Sequence, residues 1–506
     1  MKRRAFLRSA LAAAATAAIP QQHLLAALYQ PLRQDVPDIP AVTGDGRELT
    51  LRGRDIAELG ARLRGHLLLA GDDGYEDARQ ILNPSFDKRP ALIARVAGAA
   101  DVRAAVDFAR DHGGLLLAVK CGGHSFSGAS TCDRGMMIDL SPFRNVRVDP
   151  AARRAWVTGG SLLGHVDHET MAYGLVAPFG TVSHTGVGGL VTQGGFGRLG
   201  RRFGLSIDNL ESVQVVTADG RLLHASAEEN ENLFWGVRGG GGNFGVVTNF
   251  EFRLHPLQQK VVGGRIMFPL EVARDALAMY ADYGAEMPDE LYADLSVTLP
   301  PGGQPGVVGF SVCYSGPAGD AEKALAPIRA LGKPLSDDIK AVDYVALQRS
   351  GDIDDPRATG IYLKSGFLAS LSPAVAEIVA GGLEGHPERV TRVAFQHSGG
   401  AIGRVDPLAT AFAQRDAKYN MLGITGWRYG PDANAKAHMD YMRGFWKDIE
   451  PHTHGFYTAD MVPDVSQQEI QANYRANHER LVAVKNRYDP TNLFRLNANV
   501  KPTVKA

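Results

Sequence analysis

Two glycine-rich loops constrain most strongly what this chain can fold into. The first loop, residues 120–128, reads KCGGHSFSG, and the second, residues 180–197, reads GTVSHTGVGGLVTQGGFG. Glycine adopts positive φ at little cost, so loops of this kind can turn several N–H groups toward an anion. The first loop alone is equally well explained as a surface turn. Together they predict that the backbone approaches a large, flat, phosphate-bearing cofactor at two places.

The second loop also begins a Gly-x-Gly-x-x-Gly pattern at Gly195, Gly197 and Gly200. In a Rossmann fold this pattern directly follows a strand, and an acidic residue that binds ribose comes about 20 residues later. No clear strand precedes the pattern here. Asp219 has roughly the right offset, but with Gly220 it forms a hairpin-turn signal. We therefore reject a Rossmann interpretation.

Composition excludes several classes of protein. The chain has 506 residues, a formal net charge of −1 and 58 glycines without a regular period. A nucleic-acid-binding protein would carry a basic surplus, and a collagen-like chain would repeat glycine every third residue. The three cysteines are Cys121, Cys132 and Cys313, an odd number. A Cys121–Cys132 disulfide and three reduced thiols both remain open.

His165 and His168 lie three residues apart in a predicted helix, with Glu169 beside them. Zinc motifs on helices usually place two histidines four residues apart and add further ligands elsewhere. We interpret the three side chains as a solvent-facing helix surface. The sequence therefore predicts no metal site.

The N-terminus, residues 1–28, is typical of an export signal. Lys2, Arg3 and Arg4 precede an apolar, alanine-rich stretch over 10–20, which is too short to span a bilayer. The arginine pair followed by Phe6 and Leu7 favours the twin-arginine export machinery. An ordinary secretory signal or a basic, unstructured N-terminus are the alternatives. The prediction is a periplasmic or secreted protein with no stable membrane span.

Hydrophobic periodicity predicts an α+β fold. Buried strands are predicted over 91–96, 115–119, 136–140 and 155–157, and Asp101 is predicted to cap a helix. Residues 213–218 and 221–224 form a predicted hairpin, and another strand is predicted over 245–252. Later strands are predicted over 261–268, 306–314, 390–396 and 421–427, with helices over 270–284, 320–330, 433–449 and 467–485. This second set is typical of a large antiparallel sheet.

Several motifs, in this order along the chain, resemble those of FAD-linked oxidases of the vanillyl-alcohol oxidase superfamily, specifically the berberine bridge enzyme-like group. The resemblance covers about residues 80–503. The matching segments are RP at 89–90, GGHS at 122–125, the loop at 180–197, FGL at 203–205, DN at 208–209, WGVRG at 235–239, NFGVVT at 243–248, YDPTNLF at 488–494 and NANVKP at 497–502.

This resemblance implies a two-part FAD-binding domain with an inserted substrate domain. The FAD-binding part of PCMH type would span residues 85–257. A substrate domain at 258–455 would carry the antiparallel sheet flanked by helices. Residues 456–506 would then return to complete the FAD-binding domain.

The resemblance also implies how the FAD is held. His124 matches the histidine that bonds covalently to the flavin 8α carbon, although it could instead lie unbonded beside the flavin ring. Many relatives add a second bond from a cysteine, but Val182 occupies that place and cannot form a thioether. A single covalent link through His124 is therefore predicted. The other implied cofactor-binding residues are Gly122, Gly123, Ser125, Gly128, Thr181, Val182, Thr185, Gly186, Gly188, Gly189, Gly195, Gly197, Val247, Asn497 and Asn499.

The implied chemistry is hydride transfer to flavin, for which the protein supplies a base. Many relatives use the last tyrosine of a Tyr-x-Asn-Tyr motif, and this chain has Tyr457-Thr458-Ala459-Asp460 there. Asp460 is thus the predicted base and Tyr457 the second choice, with a solvated loop as the alternative. Leu422 stands where another relative has a glutamate base. Gln396 is predicted to bind substrate.

We therefore predict an exported FAD-linked oxidase acting on a hydroxyl-bearing small molecule, with a sugar or oligosaccharide as one candidate. Thr185 occupies the place implied to control oxygen access, and its small side chain favours O2 as acceptor with H2O2 as product. Two alternatives stay open. One is an FAD dehydrogenase that uses a quinone or cytochrome, and the other is a flavin-binding protein without turnover.

Overall fold

The computed structural model describes residues 35–504 except 356 and 432, so the predicted export signal lies outside the described residues. In chain order the strands are β1 (Ile39–Val42), β2 (Glu48–Leu51), β3 (His66–Leu69), β4 (Leu92–Arg95), β5 (Leu117–Lys120), β6 (Met136–Asp139), β7 (Val146–Asp149), β8 (Arg154–Thr158), β9 (Leu175–Val176), β10 (Leu210–Val216), β11 (Leu222–Ser226), β12 (Val246–Arg253), β13 (His255–Pro256), β14 (Lys260–Pro269), β15 (Leu291–Leu299), β16 (Val307–Tyr314), β17 (Ser336–Asp337), β18 (Lys340–Asp343), β19 (Thr359–Leu368), β20 (Arg389–His397) and β21 (Tyr419–Arg428).

The α-helices alternate with these strands. They are α1 (Gly53–Arg62), α2 (Tyr75–Ala78), α3 (Ala99–Asp111), α4 (Leu163–Met171), α5 (Val187–Thr192), α6 (Gly200–Phe203), α7 (Glu231–Val237), α8 (Ala273–Glu286), α9 (Ala321–Arg329), α10 (Tyr344–Arg349), α11 (Pro373–Gly382), α12 (Ala435–Ile449), α13 (Gln467–Asn473) and α14 (His478–Tyr488). In the described part of the chain, none of them is long and apolar enough to cross a bilayer.

Two sheets form the first half of the molecule. A four-stranded sheet has the order β3-β4-β6-β5, and β6 runs parallel to both β4 and β5. Its strands are buried, as expected when a parallel sheet is covered by other elements. A five-stranded antiparallel sheet has the order β11-β10-β12-β8-β7. It contains the predicted hairpin at Asp219-Gly220, which joins β10 to β11.

The second half is built on one eight-stranded antiparallel sheet, in which β17-β14-β16-β15-β20-β21-β19 lie side by side and β18 also pairs with β14. Alternate side chains point to opposite faces. One face, including Leu295, Phe310 and Met421, packs against helices α8, α9, α11 and α12 in a single core. The opposite face is more polar, and Phe367 joins it to the core of the first half. The predicted α+β fold with a helix-flanked antiparallel sheet is confirmed.

Two local predictions are wrong. The single helix predicted over 467–485 is two helices, α13 and α14, because the chain turns at Tyr474–Asn477 and Arg475 adopts a positive φ of 48°. Asp101 does not precede its helix but lies in the first turn of α3. Its carboxylate accepts N–H bonds from Arg64, Gly65 and Ala97, so it joins the helix start to the preceding chain.

The three cysteines, Cys121, Cys132 and Cys313, are free thiols.

A buried ion pair fixes the C-terminal segment to the first half. The Lys485 ammonium donates to the Asp489 carboxylate at 2.7 Å and to the backbone oxygens of Asn243 and Phe494. Asp489 also accepts from the N–H groups of Leu493 and Phe494. Burial lowers the pKa of Lys485 to about 8, and the adjacent Asp489 opposes that shift. The pair thus closes the loop after α14 against the 241–243 turn.

We expect Lys485→Met to lower the free energy of unfolding by about 3–5 kcal/mol, because it leaves the Asp489 charge buried without its partner. Chemical denaturation of the purified protein measures this loss. Glu479→Gln, an exposed change on the same helix, is the control and should alter stability by less than about 0.5 kcal/mol. An equally small effect of Lys485→Met would contradict the assigned role of the pair.

Candidate active site

The two glycine-rich loops cross with their backbones in contact. A Cβ atom on Gly186 would overlap the Gly122 nitrogen and the Cys121 sulfur, and one on Gly122 would overlap Gly186 in return. Gly123 and Gly128 have φ values of 70° and 68°, a region that residues with a Cβ rarely adopt. The sequence needs glycine here because two chains must pass each other where no side chain fits.

This crossing brings His124 next to His184, with their Nε2 and Nδ1 atoms 2.7 Å apart. The Ile353 N–H donates to His184 Nε2 at 3.1 Å, so the proton of a neutral His184 lies on Nδ1 and points at His124 Nε2. His124 Nδ1 lies 3.4 Å from the Thr185 hydroxyl. Burial and the neighbouring His184 lower the pKa of His124 to about 4. His124 is therefore a neutral imidazole at physiological pH.

The space beside these loops fits an extended polar cofactor such as FAD. A Cβ on Gly189 or Gly242 would meet no atom within 4 Å, so both glycines face open space. The side-chain oxygens of Gln193, Asn497 and Asn499 are buried without a hydrogen-bond donor, which is the expected state of groups awaiting a polar ligand. The turn at 241–243 and the segment around 498–500 are hydrogen-bonded together through Asn243. These backbone and amide groups would hold the cofactor.

The other predicted cofactor residues fall into two groups. Gly188 and Ser125 lie within the crossing loops, and Ser125 accepts from the Ala129 N–H. Gly195 and Gly197 instead pack where a Cβ would overlap Ser206 or Phe179. The Thr181 oxygen accepts from Arg198, Val182 contacts Gly351, and Val247 is buried in β12. The residues of this second group contact other parts of the protein and support the loops.

We expect Gly186→Ala to prevent flavin loading, because a methyl group cannot share the space of the Gly122 backbone. Gly189→Ala is the matched control for folding, since its added methyl meets no protein atom. Thermal unfolding and the flavin-to-protein absorbance ratio measure both variants. Full flavin content in Gly186→Ala would contradict the described crossing. Normal folding of Gly189→Ala with reduced flavin content would locate the cofactor in front of that glycine.

A hydrogen-bonded polar cluster lies where the sheet meets the C-terminal segment. The Asn420 amide donates to the Asp460 carboxylate at 3.1 Å and to the Gln396 oxygen at 2.8 Å. Asn420 and Gln396 are cross-strand partners on β21 and β20, on the face opposite the helices. Burial raises the pKa of Asp460 to about 7, and the Asn420 bond opposes that shift. Asp460 also lines a cavity of about 160 Å³ at the β19 edge of the sheet, together with Lys364, Trp446 and Glu450, and this lining does not include Asn420 or Gln396.

Tyr457, the second predicted base, has its hydroxyl committed elsewhere. The oxygen accepts the Gly195 N–H at 3.0 Å, and the ring packs against Phe196 and Phe367 in the core. Burial raises the pKa of Tyr457 further above its usual range. The geometry thus gives Tyr457 a role in holding the 194–197 turn, whereas the Asp460 carboxylate belongs to the polar cluster with Asn420 and Gln396.

Two residues of this site were not predicted from sequence. The alternation of polar and apolar residues along β21 shows which side chains share a face with Asn420. It does not show that Asp460 packs against that face. His184 lies in the second glycine-rich loop. A histidine in a loop predicted to bind a cofactor is a sequence signal that could have identified it as a site residue. In the described residues, no group of three or more His, Cys, Asp or Glu side chains is arranged to hold a metal ion.

Comparison with known proteins identifies the family to which this chain is similar. Residues 90–226 match the model of an FAD binding domain, and residues 462–501 match a berberine and berberine-like model. The (R)-6-hydroxynicotine oxidase of Paenarthrobacter nicotinovorans is 32% identical over 87% of this chain and 97% of its own length. The xylooligosaccharide oxidase of Thermothelomyces thermophilus is 30% identical over 83% of this chain and 89% of its own.

Solved structures agree with the sequence matches. The 6-hydroxy-D-nicotine oxidase of Arthrobacter nicotinovorans superposes with a TM-score of 0.79 at 29% identity, over 87% of this chain and 98% of that one. The glucooligosaccharide oxidase of Acremonium strictum, described with 6-S-cysteinyl, 8α-N1-histidyl FAD, has a TM-score of 0.78 at 25% identity, over 87% of this chain and 98% of that one.

Proposed function

Because this chain belongs to the berberine bridge enzyme-like family of FAD-linked oxidases, we propose that it oxidises a hydroxyl-bearing small molecule with O2 as acceptor and H2O2 as product. The observation that carries the proposal is the Asp460 carboxylate, held by Asn420 on the face of the sheet opposite the helices. FAD, when bound, supplies the hydride acceptor. Oligosaccharides are the leading substrate class, since two relatives are named as oxidases of such compounds.

His124 would hold the flavin by a single covalent bond through Nδ1. Its Nε2 atom is engaged with His184, so Nδ1, beside Thr185, is the nitrogen left to bond. The low pKa of His124 keeps the imidazole neutral. Because Nε2 accepts from His184, the one remaining proton lies on Nδ1 and has to leave as Nδ1 becomes the nucleophile. Val182 excludes the second, cysteinyl bond of the glucooligosaccharide oxidase.

Asp460 would take the hydroxyl proton of the substrate. A pKa near 7 makes the carboxylate a base that is ionised for much of the time at neutral pH and still able to hold the proton it receives. Asn420 fixes the carboxylate, and the Gln396 amide nitrogen is left to donate to a substrate oxygen. Substrate orientation and proton removal are thus assigned to this cluster.

A screen of neutral and acidic mono- and oligosaccharides tests the proposed function. Peroxide formation and oxygen uptake should rise together, in a one-to-one ratio, with at least one of these compounds. Substrate-dependent reduction of a dye under anaerobic conditions, without oxygen uptake in air, would contradict the oxidase proposal in favour of a dehydrogenase.

The pH dependence of kcat/KM should report the Asp460 carboxylate. Only the ionised form accepts a proton, and burial raises its pKa to about 7, so kcat/KM should fall as the pH drops below about 7 and level off above it. Steady-state kinetics across this range measures the profile. Asp460→Asn should remove this acidic limb from its residual activity. A wild-type profile that stays flat through pH 7 would contradict the assignment.

Export through the twin-arginine machinery to the periplasm or beyond is part of the same proposal. Its support is Arg3 and Arg4 ahead of the apolar stretch at 10–20. An Arg3→Lys, Arg4→Lys double variant should accumulate in the cytoplasm with its flavin, while the unchanged chain should appear in the exported fraction. Equal distribution of the two forms would contradict this route.

A further inference from the structure

The face of the eight-stranded sheet opposite the helices carries two arginines that the chemistry above does not use. Arg265 lies on β14 and Arg392 on β20, and both are exposed. Their neighbours along the strands, Ile266 and Val393, point into the helix-side core, so the arginines point to the opposite face. That face is the one on which Gln396 and Asn420 meet Asp460.

Arg265 begins a row of polar residues that crosses the sheet toward the proposed base. Arg265 lies directly opposite Ser311 on β16, and Ser311 lies opposite Asp294 on β15. Asp294 accepts the His397 N–H at 2.9 Å from the next strand, β20. Gln396 and Asn420 then complete the row. Strands lie about 4.8 Å apart, so the row from Arg265 to Asn420 is about 19 Å long.

Small residues form the floor beside this row. Gly309, Ser296 and Ala394 are cross-strand partners on three neighbouring strands. Arg392 lies opposite Thr298, one step beyond this floor. It is four residues from Gln396 on the same strand, which corresponds to about 13 Å. The result is a strip of small residues on this face of the sheet, with polar residues along one side and a guanidinium on the other.

The Arg392 guanidinium has no hydrogen bond and no carboxylate within 4 Å among the described residues. Burial lowers the pKa of Arg392 although the residue reaches solvent, and the charge of Arg265 lowers it further. The Asp294 charge raises the pKa of Arg392, but the Asp294 oxygens already accept from the Tyr292 hydroxyl and the His397 N–H. Arg265 donates to the Ser350 backbone oxygen at 3.3 Å, so the two like charges share this face of the sheet without a carboxylate bound between them.

We propose that the substrate carries a carboxylate, which Arg265 and Arg392 bind while the hydroxyl group to be oxidised lies at Asp460. Guanidinium groups match the planar geometry of carboxylates and bind them with charge-assisted hydrogen bonds. Ser296 and Ser311 lie on the same face of the sheet, and their hydroxyls suit a ligand with several hydroxyl groups. The substrate class is therefore an acidic polyhydroxyl compound, such as an oligomer of a sugar acid. This inference rests on the proposed function and names its substrate class.

Equilibrium binding to the flavin-loaded protein tests the inference independently of turnover. Calorimetry at low ionic strength should compare digalacturonate with galactobiose, which carries hydroxymethyl groups in place of the carboxylates. We expect digalacturonate to bind about 10- to 100-fold more tightly, the range for hydrogen bonds to charged groups. Arg392→Gln and Arg265→Gln should each reduce this preference. Arg274→Gln, on the helix side of the sheet, should retain it.

Equal or weaker binding of the acid, no binding of either compound, or a preference that survives in both the Arg392→Gln and Arg265→Gln variants would each overturn the inference. These results are distinguishable from failure of the proposed function. Selective binding of digalacturonate without peroxide formation from any sugar would contradict only the oxidase proposal. Oxidation of galactobiose as efficient as that of the acid would contradict only the carboxylate preference.

Discussion

Replacing Asp460 by asparagine should lower kcat/KM by about 10²–10⁴-fold, the usual contribution of a positioned general base. Asparagine keeps the size of the side chain and can still bond to Asn420 after the amide is reoriented, so the loop at 458–460 should stay in place. What is lost is the only carboxylate of the Asn420 cluster, and with it the acceptor for the substrate proton. Initial rates of peroxide formation measure the change.

Asp464→Asn is the matched control for this experiment. Asp464 is an exposed carboxylate four residues further along, paired with Lys364 and Arg443 at the surface, and its loss should leave kcat/KM within about twofold. Flavin content should equal that of the unchanged protein in both variants. Comparable rates for Asp460→Asn and Asp464→Asn would contradict the role assigned to Asp460.

Replacing His124 by alanine should abolish covalent flavin retention. After acid precipitation, the yellow colour of the unchanged protein should stay in the pellet, whereas that of His124→Ala should pass entirely into the supernatant. The reason is that Val182 offers no second point of attachment, so the proposed single bond through His124 would carry all of the covalent flavin. Absorption spectra of the two fractions measure the result.

His168→Ala, an exposed change on α4, is the control for the loss of a histidine and should retain all of its flavin in the pellet. Colour remaining in the His124→Ala pellet would show that another residue bonds to the flavin. Colour that washes out of the unchanged protein would contradict covalent attachment while leaving FAD binding in place.

Local sequence signals were sufficient where a single physical constraint acts on neighbouring residues. The glycines at 122–123 and 186–189 predicted that the backbone approaches a cofactor closely, and the structure shows that Gly122 and Gly186 also approach each other where the two loops cross. The hairpin at Asp219-Gly220 followed from turn chemistry alone. Alternation of polar and apolar residues predicted β14, β16, β20 and β21, because one face of each strand is buried against helices.

Features that depend on distant pairings were missed or displaced. The apolar periodicity of residues 467–485 continues across the turn at Tyr474–Asn477. The sequence pattern therefore does not show where α13 ends, and only the backbone conformation does. Strands β15 and β19 went unpredicted, although β15 supplies Asp294 and β19 contributes Phe367. The contact between Asn420 and Asp460 joins residues 40 positions apart, and no local pattern reports such a pairing. Site chemistry of this kind is created by tertiary packing.

The central claim, that this FAD-linked enzyme uses Asp460 to oxidise a hydroxyl compound and returns the electrons to O2, is tested most directly by a two-step absorbance measurement. The flavin-loaded protein is mixed anaerobically with the best compound of the saccharide screen, and air is then admitted. We predict rapid bleaching of the visible flavin band, markedly slower bleaching in Asp460→Asn, and prompt recovery of the band with one H2O2 per flavin. Bleaching at equal rates in both proteins, or a band that stays bleached in air, would contradict the account.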